Sequence, residues 1–89
     1  MAEARSEITI KNHHGLHARP AMMLVDVASN FTADIRIIKG KQAVDAKSIM
    51  QLMMLAAVCG TKLEVVAKGG DADEAIKAIV ALNDADFED

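Results

Sequence analysis

Residues 7–30 read EITIKNHHGLHARPAMMLVDVASN, and the fold turns on how this stretch divides. From Glu7 to Lys11 the side chains alternate. Ile8 and Ile10 fall on one side; Glu7, Thr9 and Lys11 fall on the other. A period of two is the mark of a half-buried strand. From Ala18 to Asn30 the period lengthens. Ala21, Leu24, Val25 and Ala28 keep the i, i+3, i+4, i+7 spacing of a helix face turned to a core. Pro20 is compatible with that helix only in its first turn, where amides have no intrahelical acceptor. The helix therefore starts next to His17, and a strand, a short loop and a helix follow one another.

Downstream the same two periods recur. Ala33 to Lys39 is a second strand, with Ile35 and Ile37 on its inner face. Lys39-Gly40-Lys41 turns into a short third strand, Gln42 to Asp45, which closes a hairpin. Ser48 is a good N-cap for a second helix, IMQLMMLA, ending near Gly60. In that helix Ile49, Leu52 and Met53 can face the core together. Lys62 to Lys68 alternates again, and Gly69-Gly70 interrupts the chain. Asp71 then caps a third helix, with Glu74 three residues on as in a capping box; Ala75, Ile76, Ile79 and Leu82 form its buried stripe. The acidic tail from Asp84 is expected to fray. The order is β-α-β-β-α-β-α. Alternation in every strand implies one dry and one wet sheet face. The fold class is α+β: an antiparallel or mixed sheet with all three helices packed on one side.

Composition sets limits on function. The 89 residues make room for one domain, 1–89, with no internal repeat and no linker. Hydrophobic residues are 52%, but there are two Phe, no Tyr and no Trp, so Ile, Val, Leu, Ala and six Met must build the core. Without aromatic platforms, single-strand nucleic-acid binding is excluded. Net charge is −3, and no basic stripe exists to neutralise a run of phosphates, so duplex nucleic acid is not a partner either. A single Cys59 fits a reducing cytoplasm. The N-terminus has no apolar h-region of a secretory signal. No stretch approaches the roughly 18–20 apolar residues that cross a bilayer.

The chemistry lies in His13-His14-Gly15-Leu16-His17-Ala18-Arg19-Pro20. His17 is placed at the N-cap of a helix, beside the free amides of Ala18 and Arg19. A helix start carries about half a positive elementary charge and unsatisfied N–H groups, which together attract anions. That field favours a neutral, nucleophilic imidazole over imidazolium. A phosphoryl group on the ring would bring about two negative charges to the two amides and to the guanidinium of Arg19. Gly15 lets the loop approach closely or adopt φ > 0. Two plainer readings stand beside this one: a His that merely caps a helix, and a metal site of His13, His14 and His17. The second lacks a local Asp, Glu or Cys. Ser48 has a plain role as a cap. Met22, Met23, Met50 and Met54 are either flexible core filler or an adaptable docking surface.

The segment GLHARPA at 15–21 closely resembles the active-site signature of the HPr family, the histidine phosphocarriers of the bacterial phosphotransferase system. The resemblance extends through Leu24-Val25, Ala28, Phe31, Gly40, Ala46-Lys47-Ser48-Ile49-Met50, Leu52, Leu55 and Gly60-Thr61. It implies an open-faced sandwich of a four-stranded antiparallel sheet and three helices. It also implies a phosphoryl carrier that is not an enzyme and needs no cofactor or metal. His17 matches the phosphorylated His, modified at Nδ1. It would take phosphate from enzyme I and pass it to a His on an EIIA-type domain. Arg19 matches the Arg that steadies the phosphoryl group, and Ser48 the regulatory Ser of HPr kinase/phosphorylase. Met22, Ile49, Met50 and Met53 match docking positions around the active-site loop. A cytoplasmic monomer serving sugar uptake is the expectation. Its rivals are a regulatory module controlled through Ser48 and a carrier of a nitrogen-related branch. The chain departs from the family pattern at several points. Asp26, Ser29 and Gln51 stand where enteric relatives carry Lys, Ala56 replaces a common Gly, and His14 replaces a small polar residue.

Overall fold

A computed structural model describes residues 2–85 and Phe87 of the chain. The order is β1 (Glu3–Thr9), α1 (Ala18–Ala28), β2 (Asp34–Lys39), β3 (Gln42–Asp45), α2 (Ile49–Met54), β4 (Lys62–Lys68) and α3 (Ala72–Asp84). The four strands form one antiparallel sheet in the order β1-β4-β2-β3. This is the open-faced α+β arrangement expected from the alternating strands, with the helices gathered on one face.

The core lies between that face and the helices. Ile8, Ile35, Ile37, Leu63, Val65 and Ala67 come from the sheet; Ala21, Leu24, Ala28, Leu52, Ala75 and Ile79 come from the helices. Burying a side chain of Leu or Ile size stabilises a fold by about 1.5–3 kcal/mol, so the aliphatic residues suffice without an aromatic centre. The opposite face is mostly charged: Arg5 pairs with Glu3 at 3.0 Å and Glu64 at 3.3 Å, and Arg36 with Asp34 at 3.4 Å. Val66 is buried on this side, beside Arg5, Arg36 and Ile38, so the wet face carries one dry spot.

Several boundaries differ from the sequence expectation, each for a physical reason. β1 runs Glu3–Thr9 rather than 7–11, because Glu3 to Ser6 pair with Lys68 to Val65 although Ala4 and Ser6 give little apolar signal. Ile10 leaves the ladder but stays buried, exchanging backbone bonds with Thr61 (2.9 Å) and Gly60 (2.7 Å). α1 stops at Ala28 instead of Asn30, and β2 starts at Asp34 instead of Ala33. α2 ends at Met54, two residues early, because Ala56 turns left-handed with φ +49°. Of its presumed inner residues, Leu52 is fully buried and Ile49 packs against the core. Met53 is 44% exposed and is not a core residue. Val25 and Leu82 likewise pack at the margin of the core rather than inside it.

Asp71 precedes α3, but its side chain caps no amide of that helix among the described residues, and the capping box does not form. Its carboxylate instead accepts from the backbone N–H of Thr32 (2.8 Å) and of Ala33 (2.9 Å). These bonds, that from Thr32 foremost, hold Asp71 below the usual carboxylate range. The residue therefore fastens the turn before β2 to the start of α3. In the acidic tail, residues 86, 88 and 89 lie outside the described residues. Phe87 does not fray: it is 1% exposed and belongs to the core.

Candidate phosphoryl-acceptor site

The loop between β1 and α1 is fixed almost entirely by backbone bonds. Gly15 donates to the Asn12 carbonyl at 3.0 Å, Leu16 to the Ala57 carbonyl at 2.7 Å, and His17 to the Gly15 carbonyl at 3.1 Å. Asn12 is buried, and its Nδ2 donates to the Gly15 carbonyl. Gly15 has φ +72°, and a Cβ there would meet the Ala57 carbonyl and come within 2.8 Å of Val58 Cα. Only glycine fits, because both the backbone hand and the space forbid a side chain. Leu16 is buried and anchors the loop in the core. The loop thus lies against the segment after α2, which is in turn tied by Val58 N–H to Thr61 Oγ1 at 3.1 Å.

This anchoring puts His17 at the N-cap of α1, with φ −97° and ψ −169°. Its carbonyl takes the first helical bond, from Ala21 at 3.0 Å. The imidazole makes no cap bond, so the backbone of His17 does the capping while its ring is left for other use. The ring is half-buried, and Nε2 is shielded from solvent. The amides of Ala18 and Arg19 reach no backbone acceptor among the described residues; Pro20 has no N–H and is buried. Ala18 and Arg19 are exposed, and Arg19 forms no ion pair among the described residues. The result is a ring nitrogen, two unclaimed amides and a guanidinium on one helix start. Such a set can receive a small, doubly charged anion.

His14 also turns toward the site. Its ring stands edge-on to His17, with centroids 5.9 Å apart and planes at 83°, and His13 stands edge-on to His14 at 5.0 Å. Among the described residues no cluster of His, Cys, Asp or Glu could hold a metal ion, which removes the three-histidine metal reading.

Ser48 lies on α2, outside this loop. It is half-buried, and its hydroxyl accepts from Gln51 N–H at 3.3 Å. Gln51 in turn accepts from Asp45 N–H at 3.0 Å through Oε1. Met22 and Ile49 share one groove of about 230 Å³ with Val25 and Asp26, between α1 and α2. Met22 is 56%, Met50 77%, Met53 44% and Met54 69% exposed, while Met23 packs on the core. The docking positions are therefore on the surface. Sequence reasoning overlooked Asn12 and Ala57, the residues that hold the loop. Asn12 had a signal, since Asn readily bonds nearby backbone. Ala57 had none, because its part is played by a carbonyl.

Comparison with known proteins agrees with this geometry. A family profile described as the PTS HPr component phosphorylation site matches residues 4–85. Phosphocarrier protein NPr of Shewanella violacea is 42% identical over 89 residues, covering 100% of this chain and 98% of that protein. HPr-like protein Crh of Halalkalibacterium halodurans is 42% identical, covering 92% and 95%. A crystal structure of HPr-C-His from Thermoanaerobacter tengcongensis superposes with a TM-score of 0.93 at 43% identity over 97% of each chain. No helix of the described chain is long and apolar enough to cross a membrane.

Proposed function

The chain belongs to the HPr family of phosphocarrier proteins, which carry phosphoryl groups rather than catalyse a reaction; from that premise we propose that His17 is the phosphoryl acceptor and Nδ1 its reacting atom. The observation that carries this reading is the shielded Nε2 on a ring held at a helix start. A proton on Nε2 leaves the Nδ1 lone pair facing the incoming group. That pair attacks phosphorus as the donor's bond to phosphorus breaks and its electrons stay on the donor nitrogen. No proton has to be gained or lost by His17. The amides of Ala18 and Arg19 and the guanidinium of Arg19 then stabilise the new charge. Because these donors lie on an open surface, the same phosphoryl group remains accessible to an acceptor.

In this reading phosphorylated enzyme I is the donor and the His of an EIIA-type domain is the acceptor. Met22, Ile49, Met50 and Met53 supply the apolar surface on which both dock in turn. The protein works as one domain, as a monomer in the cytoplasm. The test is incubation with enzyme I and phosphoenolpyruvate, followed by intact mass. Wild type gains one acid-labile phosphate and His17→Ala gains none. An unlabelled wild type, or a label kept by the alanine variant, contradicts the proposal.

A second reading, a regulatory module controlled through Ser48, draws support from the likeness to Crh and from Met50 and Met53 just beyond that residue. A phosphate on Ser48 would replace the long cap bond from Gln51 and set negative charge beside the apolar patch. HPr kinase/phosphorylase with ATP then yields an acid-stable phosphate that Ser48→Ala abolishes. Absence of that phosphate on wild type removes the regulatory role and leaves the carrier role intact.

A further inference from the structure

We infer that His14 is a positioning residue for the phosphorylated state: its imidazole supplies a second, pH-dependent cation to the phosphoryl group carried on His17. The inference rests on His17 being the acceptor. Its own ground is the row of three rings, in which His14 stands edge-on between His13 at 5.0 Å and His17 at 5.9 Å. An edge-on ring at that separation limits the rotation of the His17 ring and brings a titratable group to the place where charge arrives.

The charges around His14 favour this role. His13 and His17 face it directly. In the same loop Lys11 reaches Asp84 of α3 at 4.0 Å, and on α1 Arg19 follows His17. From the segment after α2, Cys59 Sγ donates to the Lys11 carbonyl at 3.5 Å. The one acidic group in this set is thus engaged with Lys11. A phosphoryl group on His17 would be the dominant negative charge near His14. His14 is exposed, so it exchanges protons with solvent freely.

Imidazole changes charge between about pH 5 and 8. Below that window His14 is a cation within a few ångströms of a group bearing about two negative charges; above it, His14 is a neutral neighbour. A separation of this size lies inside the screening length of about 8–10 Å. The attraction then amounts to about a fivefold preference for the phosphorylated state at low pH. Phosphorylation and protonation of His14 help each other, by reciprocal linkage. Arg19 supplies a charge that pH does not alter; His14 adds the part that does.

The experiment is a competition. Equal amounts of wild type and His14→Gln are equilibrated with catalytic enzyme I and limiting phosphoenolpyruvate, and the phosphate on each is read by intact mass. At pH 6 wild type holds about five times more phosphate than His14→Gln; at pH 8.5 the two hold equal amounts. His14→Lys keeps the advantage at both pH values, whereas His13→Gln stays close to wild type. Equal sharing at pH 6, or a ratio that does not move with pH, overturns the inference, the latter by reducing His14 to packing. Failure of wild type to take any phosphate would instead defeat the reading of His17.

Discussion

The loop 12–17 and helix α2 meet through Ala57 yet are held in opposite ways. The loop is bound by four backbone or side-chain bonds to its own carbonyls and to Ala57, with Leu16 buried and Gly15 filling a space no other residue fits. α2 has six residues, a 3.3 Å cap bond and two Met side chains more than two-thirds exposed. The difference matches two tasks. A phosphoryl acceptor must present one atom at one angle, because small misplacements weaken transfer steeply. A surface that meets a donor and then an acceptor profits from side chains that adapt, and Met is unbranched and polarisable.

If the loop is the rigid partner, the largest effect comes from breaking it. Gly15→Ala introduces a Cβ against Ala57 and Val58 at a positive φ. It is expected to lower stability by roughly 2–4 kcal/mol in urea unfolding, from backbone strain and overpacking together. A loss below about 0.5 kcal/mol would mean that the loop yields easily, as surface sites do. The next effect is chemical rather than structural. Arg19→Ala should slow phosphoryl acceptance about tenfold, the loss of one charge-assisted hydrogen bond, with the melting temperature unchanged. A change in melting temperature would show that Arg19 works for the fold.

On the adaptable side the effects shrink. Met50→Ala with Met53→Ala should raise the KM for enzyme I about threefold to tenfold while kcat and stability hold, since the pair removes exposed apolar contact surface only. A matching fall in kcat would place these residues in the chemistry instead. The smallest change sharpens the border between the two regions. Ala56 lies at φ +49° where α2 gives way to the segment that braces the loop. Ala56→Gly relieves that conformation and should stabilise the protein by about 0.5–1 kcal/mol, seen as a higher urea midpoint.

Much of this was legible in the sequence, and the remainder was hidden for reasons specific to particular residues. Alternation in Lys62–Lys68 and the helical spacing of Ala21, Leu24 and Ala28 reported burial directly, so four strands and three helices followed. The first half of β1 was hidden because Ala4 and Ser6 are small, and its place depends on Lys68 to Val65 across the sheet. Asp71 has the look of a helix cap, but Thr32 and Ala33, far away in sequence, compete successfully for its carboxylate. Phe87 sat in a run of acids and was hidden by them, although one large apolar ring at the core's edge outweighs its charged neighbours. At the site, His17 and Arg19 were readable because helix-start chemistry is local. The His14 contact and the Ala57 brace depend on where loops meet, which a linear pattern does not encode.

The most direct test concerns the atom. Protein labelled with nitrogen-15 in histidine is phosphorylated by enzyme I, and phosphorus–nitrogen coupling is read by NMR. Coupling to Nδ1 of His17 is the predicted result, since the fold shields the other ring nitrogen. Coupling to Nε2 of His17, or to either ring of His13 or His14, would contradict the account.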